Sequence, residues 1–212
     1  MNDHETPGTE PSRRDFLQET GVAMTATALG GLAVAEAPAA ELQSTGNPQV
    51  PAMGPGAVKI TLNVNGRDLQ TSVEPRVTLL DALRNYLDVT GCKRVCDRGT
   101  CGACTVIMGG KSVYSCSVLA IDAQGKNIET IESMPVNNPI TTAFVNNDGQ
   151  QCGYCTPGFV MAAKGFLSEH PNPTMDDVKH GLGGNLCRCG TYMGVRKAVL
   201  EAAGKMKGAK NG

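Results

Sequence analysis

The sequence predicts an α+β chain in which a small strand-rich domain precedes a helical one. Three observations carry that expectation. Apolar residues alternate with polar ones from Val58, helix-capping residues recur from Asn138 onward, and eight of the nine cysteines fall into two groups that follow this division. The length of 212 residues suits one or two domains with a sizeable core. Nineteen Lys plus Arg against twenty Asp plus Glu leave a formal charge of -1, so nucleic acid is a poor partner. With 4% aromatic residues, no Trp and 26 Gly, the chain needs loops tied down by something other than a large core.

Residues 1–40 read as an export signal. Ser12-Arg13-Arg14-Asp15-Phe16-Leu17 precedes an uncharged run from Thr20 to Ala35 rich in Ala, Gly, Val and Leu. That pattern resembles a twin-arginine signal, and the small residues from Ala35 to Ala40 offer cleavage points. The run is shorter than the roughly 20 residues that span a bilayer, so no membrane span is expected after cleavage. The twin-arginine route moves folded proteins with cofactors already inserted, which implies a cofactor here and a periplasmic location. Residues 41–56, rich in Pro, Gly, Gln and Ser, read as a linker.

The first domain is expected over residues 57–135. Val58, Ile60, Leu62 and Val64 share one face of a strand, and Asn65-Gly66 supplies a hairpin turn into a return strand from Leu69 to Val73. Thr78 and Asp81 make a capping pattern ahead of a helix carrying Leu79, Leu80, Leu83 and Leu87, ending before Gly91. Thr105 to Met108 and Val113 to Val118 read as a second hairpin, and Ile128 to Ile131 as a last strand.

Between helix and hairpin lie Cys96, Cys101 and Cys104, with Cys116 twelve residues beyond. This is the plant-type C-x4-C-x2-C spacing with a distant fourth cysteine, the pattern that holds a 2Fe-2S cluster. Gly99 and Gly102 let the loop wrap tightly and turn amide N–H groups toward negatively charged sulfurs. Zinc sites favour paired C-x2-C knuckles, and cysteines crowded into one loop pair poorly as disulfides. The domain resembles a plant-type ferredoxin, whose fold is a β-grasp sheet with a helix across it.

Helices are expected throughout residues 136–212. Asn138 caps a first helix with Pro139 at its first position, a second follows Thr156-Pro157 and stops before Pro171, and Thr174 to Asp177 caps a third that ends at Gly183-Gly184. A fourth runs from about Gly194 to Met206, so the segment reads as a four-helix bundle. Cys152 and Cys155 precede the second helix, while Cys187 and Cys189 precede the fourth. Helix N-termini present free N–H groups and a positive dipole end, which favours a thiolate-bound cluster and lowers thiol pKa values. His4, His170 and His180 lie outside every cysteine motif, which argues against a Rieske centre, and His170 and His180 read as surface or capping residues.

The order of these motifs, Cys96-x4-Cys-Gly-Ala-Cys-Thr, Gln-Cys-Gly-Tyr-Cys-Thr-Pro-Gly and Gly-Asn-Leu-Cys-Arg-Cys-Gly, resembles the iron-sulfur subunit of xanthine oxidase-family molybdenum hydroxylases. The exported form is similar to the small subunit of bacterial periplasmic aldehyde oxidoreductases. The resemblance spans about Val58 to Lys205 and implies two 2Fe-2S clusters in an electron relay. Electrons enter from a large subunit whose molybdenum-pterin cofactor oxidises an aldehyde or N-heterocycle. They leave toward an FAD-binding subunit or a cytochrome acceptor. It also implies that the cluster on Cys152, Cys155, Cys187 and Cys189 lies nearer the molybdenum, with Gln151 and Cys189 approaching the pterin, and that this chain needs no acid-base residue. Three positions depart from the family pattern: Cys92 is a ninth cysteine read as a bystander or buried small hydrophobe, with a competing ligand or redox-reactive thiol as the alternative, Val95 replaces a usual Gly, and Gly194 replaces a frequent Arg. A free two-cluster ferredoxin would use the same ligands, but such carriers rely on strongly charged surfaces that this near-neutral chain lacks.

Overall fold

A computed structural model describes residues 54–208. The signal of residues 1–40, with His4, and residues 41–53 of the linker lie outside the described residues. Both the strands and the helices belong to one compact unit, Ala52–Gly212. Among the described residues, no helix is long and apolar enough to cross a membrane.

Five strands form one sheet in the order β2-β1-β5-β3-β4. The first two, β1 (Val58–Val64) and β2 (Arg67–Val73), pair antiparallel along their whole length. Their hairpin turns at Asn65 and Gly66, with φ of 53° and 76°, the left-handed geometry that these residues tolerate. Asn65 also exchanges two 2.9 Å hydrogen bonds with Thr130, which holds the end of β5 (Asn127–Glu129) beside β1 in parallel register. On the far side, β3 (Thr105–Met108) pairs antiparallel with β5 and with β4 (Lys111–Tyr114).

Thr78 caps the helical segment by accepting a hydrogen bond from the Asp81 amide at 3.1 Å. The α-helical part, α1, spans only Leu79–Asp81 and passes directly into a π-helical stretch, Ala82–Tyr86. It ends before Gly91 as expected, and Asp88 takes a left-handed φ of 55° just past its end and turns the chain. Leu79, Leu80 and Leu83 are fully buried with Ile60, Leu62, Val64, Val106 and Ile128, each contributing roughly 1.5–3 kcal/mol of burial. Two boundaries shift. β4 stops at Tyr114, and Ser115–Ser117 forms a 3-10 turn, so Cys116 sits on that turn rather than on a strand. β5 stops at Glu129, before the 3-10 turn Ile131–Ser133.

The helical half contains α2 (Pro139–Asn146), α3 (Thr156–Glu169), α4 (Met175–Gly181) and α5 (Tyr192–Gly208). Asn138 caps α2 by accepting from the Ile140 amide at 2.9 Å, and Thr174 with Asp177 forms a complete capping box on α4. α4 ends at Gly181, earlier than Gly183-Gly184, while α5 starts two residues earlier than expected and ends two later. Phe144, Phe159, Val160, Val178 and Val199 fill the core, and Ala163, Ala198 and Ala202 let the helix backbones approach closely. α3 lies against β3 and β4, its Lys164 ion-paired with Glu129. Glycines make that contact possible. A Cβ on Gly165 would meet the Ser112 hydroxyl, and one on Gly158 would meet the Gly102 carbonyl oxygen.

Candidate metal centres

Cys96, Cys101 and Cys104 lie on the loop between α1 and β3, and the 3-10 turn after β4 brings Cys116 to them. Cys101 and Cys104 are buried, as is Cys116, and Cys96 is half-buried. The loop is folded by glycines at positive φ, Gly99 at 72° and Gly102 at 68°. Its amides turn inward: Gly99 N–H donates to Cys116 Sγ at 3.3 Å and Thr100 N–H to Cys96 Sγ at 3.4 Å. The Ser117 hydroxyl stands 3.6 Å from Cys116 Sγ. Behind the loop, Arg84 donates to the carbonyls of Thr90 and Cys92 at 2.6 and 2.9 Å, and Lys93 N–H donates to the Ala103 carbonyl at 3.1 Å.

These contacts separate the thiols electrostatically. Hydrogen bonding by Thr100 outweighs the slight burial of Cys96 and lowers its pKa to about 6. Burial works the other way on Cys104, pushing its thiol up to about 11, with Cys116 close beside it. Cys101 is also raised, first by burial, with Cys96 as its thiol neighbour.

In the helical half, Cys155 is the N-cap residue of α3 and Cys152 lies in the loop before it. Cys187 and Cys189 lie in the loop between α4 and α5. Cys187 is buried and Cys155 half-buried, whereas Cys152 and Cys189 are exposed. Burial would raise the Cys187 thiol, but hydrogen bonding by Thr191, whose hydroxyl stands 3.1 Å from Cys187 Sγ, brings it to about 7. Cys155 is pushed up to about 12, by burial first and then by Cys187 beside it. The Cys187 amide donates to the Tyr192 hydroxyl at 2.9 Å, which ties the cysteine loop to the first turn of α5. Gln151, next to Cys152, is exposed.

Among the described residues, no three Cys, His, Asp or Glu side chains converge as a single metal ion would require. Within each group thiols perturb one another, Cys96 with Cys101, Cys104 with Cys116, and Cys155 with both Cys187 and Cys152. Groups of this kind suit a binuclear cluster, in which each iron takes two thiolates. The amides facing Cys96 and Cys116 supply the partial positive charge that a thiolate cluster calls for. The histidines stand apart. His170 ends α3 with its ring stacked 4.8 Å from that of Phe166, and exposed His180 has Nδ1 2.8 Å from the Asp176 carbonyl oxygen.

Sequence reasoning missed the groups that support the thiols, Thr100, Ser117, Thr191, Tyr192 and Asn185. Thr100 and Thr191 could have been suspected from their positions inside or beside cysteine motifs. Asn185 is buried with its side-chain amide on the Gly102 carbonyl 83 residues away, a contact that no local pattern announces.

Residues 62–129 match the family described as 2Fe-2S iron-sulfur cluster binding domain, and residues 128–200 match the 2Fe-2S binding domain family. The nicotine 6-hydroxylase small subunit of Paenarthrobacter nicotinovorans is 44% identical over 157 residues, covering 73% of this chain and 94% of that protein. The aldehyde oxidoreductase iron-sulfur-binding subunit PaoA of Escherichia coli O157:H7 is 37% identical over 224 residues, covering 96% of this chain and 93% of that one. In the crystal structure of quinoline 2-oxidoreductase from Pseudomonas putida 86, a chain 36% identical superposes with a TM-score of 0.69 over 74% of this chain and 98% of its own length. Two 2Fe-2S domain matches along the chain, with relatives of this identity and coverage, show that the chain belongs to the iron-sulfur electron-transfer subunits of xanthine oxidase-family molybdenum hydroxylases.

Proposed function

We propose that Cys96, Cys101, Cys104 and Cys116 hold one 2Fe-2S cluster and that Cys152, Cys155, Cys187 and Cys189 hold the second. The observation carrying this reading is the inward turn of the Gly99 and Thr100 amides onto the sulfurs of Cys116 and Cys96. N–H groups aimed at sulfur stabilise the anionic form of a cluster and help to set its potential. When bound, each cluster supplies a centre that gains and loses a single electron. The protein's task is to hold the thiolates, exclude water on the buried side and donate hydrogen bonds. We read residues 57–135 as the β-grasp cluster domain and residues 136–212 as a four-helix-bundle domain with the second cluster at its helix starts.

Exposure supports the direction of the relay. Cys152 and Cys189 are open to solvent, with Tyr154, Leu186 and Met193 around them exposed by 51%, 53% and 56%. Large apolar side chains ringing a half-open cysteine set suit a surface that a partner covers. The large molybdenum-cofactor subunit docks there, with Gln151 and Cys189 facing its pterin, and an FAD-binding subunit or a cytochrome accepts electrons from the first cluster. Arg13-Arg14 ahead of the uncharged run from Thr20 to Ala35 supports twin-arginine export to the periplasm.

Replacement of single ligands tests the assignment. Low-temperature EPR of the dithionite-reduced chain is expected to show two rhombic signals. Cys101→Ser should alter or remove one of them, and Cys187→Ser the other. Two unchanged signals in both variants would refute the ligand sets. Export is tested separately by Arg13→Lys with Arg14→Lys, which should leave the unprocessed chain in the cytoplasm.

A further inference from the structure

Between α4, the loop that carries Cys187 and the first turns of α5 lies a cleft of about 240 Å³. Its floor is apolar, formed by the buried side chains of Phe159, Val178, Leu182 and Val195. Its rim is cationic, with Lys179 on the α4 side and Arg196 on the α5 side, and the half-exposed Leu186 forms the lip beside Cys187. The stretch from Val178 to Leu200 holds four cations, Lys179, Arg188, Arg196 and Lys197, and no Asp or Glu, in a chain whose net charge is -1. Among the described residues none of the four is ion-paired. The Arg196 guanidinium donates to the Met193 sulfur at 3.8 Å, and the carboxylate of Asp177, the acid closest in sequence, accepts from the Thr174 amide and hydroxyl of the capping box.

We infer that this cleft seats an acidic segment of the large molybdenum-cofactor subunit, with one apolar side chain on the floor and carboxylates on Lys179 and Arg196. The inference rests on the docking face read above. Small-molecule pockets usually measure about 300–1,000 Å³, so a smaller cleft with an apolar floor suits a single anchoring side chain. The rim decides the charge of the occupant. An apolar partner laid over Lys179 and Arg196 would strip their hydration and return nothing, whereas a carboxylate replaces the lost water with a charged hydrogen bond. Arg188 and Lys197, both exposed, extend the same positive field and would steer an acidic surface toward the cleft from a distance. Position decides which subunit comes. Leu186 on the lip precedes Cys187, and exposed Met193 on the first turn of α5 adjoins Arg196, so the cleft continues the apolar face around the second cysteine group.

The test uses the cluster-loaded full chain and the purified large subunit, with association followed by surface plasmon resonance across a salt series. Lys179→Glu combined with Arg196→Glu is expected to slow association about tenfold at low salt and to flatten its salt dependence. Iron content, sulfide content and both EPR signals should stay as in the parent chain. Reversal of two exposed cations of the sheet domain, Lys59→Glu with Lys126→Glu, should change the rate far less. A fully loaded cleft variant that associates at the parental rate with the parental salt slope overturns the inference. In that event Tyr154→Glu, on the same face but outside the cleft, separates the two levels: weakened association means that only the cleft is wrong, and unchanged association means that the docking face is wrong as well. Carbodiimide treatment of the unmodified complex provides a measurement independent of variant folding. Lys179 should join to a carboxylate of the large subunit, and its amine should be acylated more slowly in the complex than in the free chain. Equal reactivity of Lys179 in both, or joining only to a second copy of this chain, also overturns the inference.

Discussion

Cys92 and Cys96 are four residues apart and chemically opposite. Cys92 is 2% exposed in the sheet core, with its Sγ 3.9 Å from the Val89 carbonyl oxygen. Burial first, and then the Glu132 carboxylate, push its thiol up to about 12, so it stays protonated where Cys96, at about 6, ionises readily. A protonated thiol behind the loop is a small apolar side chain and a poor ligand. Cys92→Ala and Cys92→Ser should therefore both retain the full iron content and both EPR signals. Their stabilities should differ: the alanine leaves a small void costing about 1 kcal/mol, and the serine buries a hydroxyl in an apolar site at about 1–3 kcal/mol. Urea unfolding of the two variants checks that order. Loss of either EPR signal in Cys92→Ala would make Cys92 a cluster ligand after all.

At the scale of elements, helix starts were legible in the sequence because capping is local chemistry. Thr78, Asn138 and Thr174 all accept the hydrogen bonds that their spacing announced. The ends were less legible. The π-helical stretch after α1, the positive φ of Asp88 and the 3-10 turn that carries Cys116 depend on how the cysteine loop returns to the sheet, which no window of neighbours encodes. Gly194 makes the same point. The sequence shows only a Gly where related chains often carry Arg, whereas the structure packs it on the end of α2, where a Cβ would stand 2.5 Å from the Asn147 carbonyl oxygen and 2.6 Å from that of Asp148. Backbone cannot move aside as a side chain can. Gly194→Ala should destabilise by about 1–3 kcal/mol, read as a lower thermal midpoint, and Gly194→Arg should do more harm.

The same two helices are joined by a titratable contact. Glu201 on α5 accepts from Lys205 at 2.6 Å and from Asn146 at 2.8 Å, and also from Asn147. These bonds, with that from Lys205 the largest, lower its pKa from an ordinary 4.5 to about 2. A depressed carboxyl pKa contributes stability that is fully present above the unfolded value and is lost as pH falls through the folded one. Glu201→Gln should thus unfold earlier than the parent at neutral pH, and the gap between their unfolding midpoints should close between about pH 4.5 and pH 2. Glu201 is solvent-facing, so the gap should also narrow in high salt.

Over the whole molecule, the two cysteine groups differ in what covers them. The first has three buried cysteines enclosed by the sheet, the Ser115–Ser117 turn and α3, whereas two of the four cysteines in the second face solvent. The sequence located both groups by spacing alone, because ligand spacing is local. It could not rank their protection, because that depends on the docking of α3 on β3 through Gly158 and Gly165 and on the Asn185 contact across 83 residues. A chelator reaches iron through open ligands, so iron loss from the isolated chain should be biphasic with roughly equal phases, one for each binuclear centre. The fast phase should track the EPR signal that Cys187→Ser alters, and the slow phase the one altered by Cys101→Ser. If the large molybdenum subunit docks on this face as proposed, adding it should slow the fast phase selectively by covering Cys152 and Cys189. If both phases slow equally, or if the Cys101-dependent signal decays first, the exposed face is not where that subunit binds.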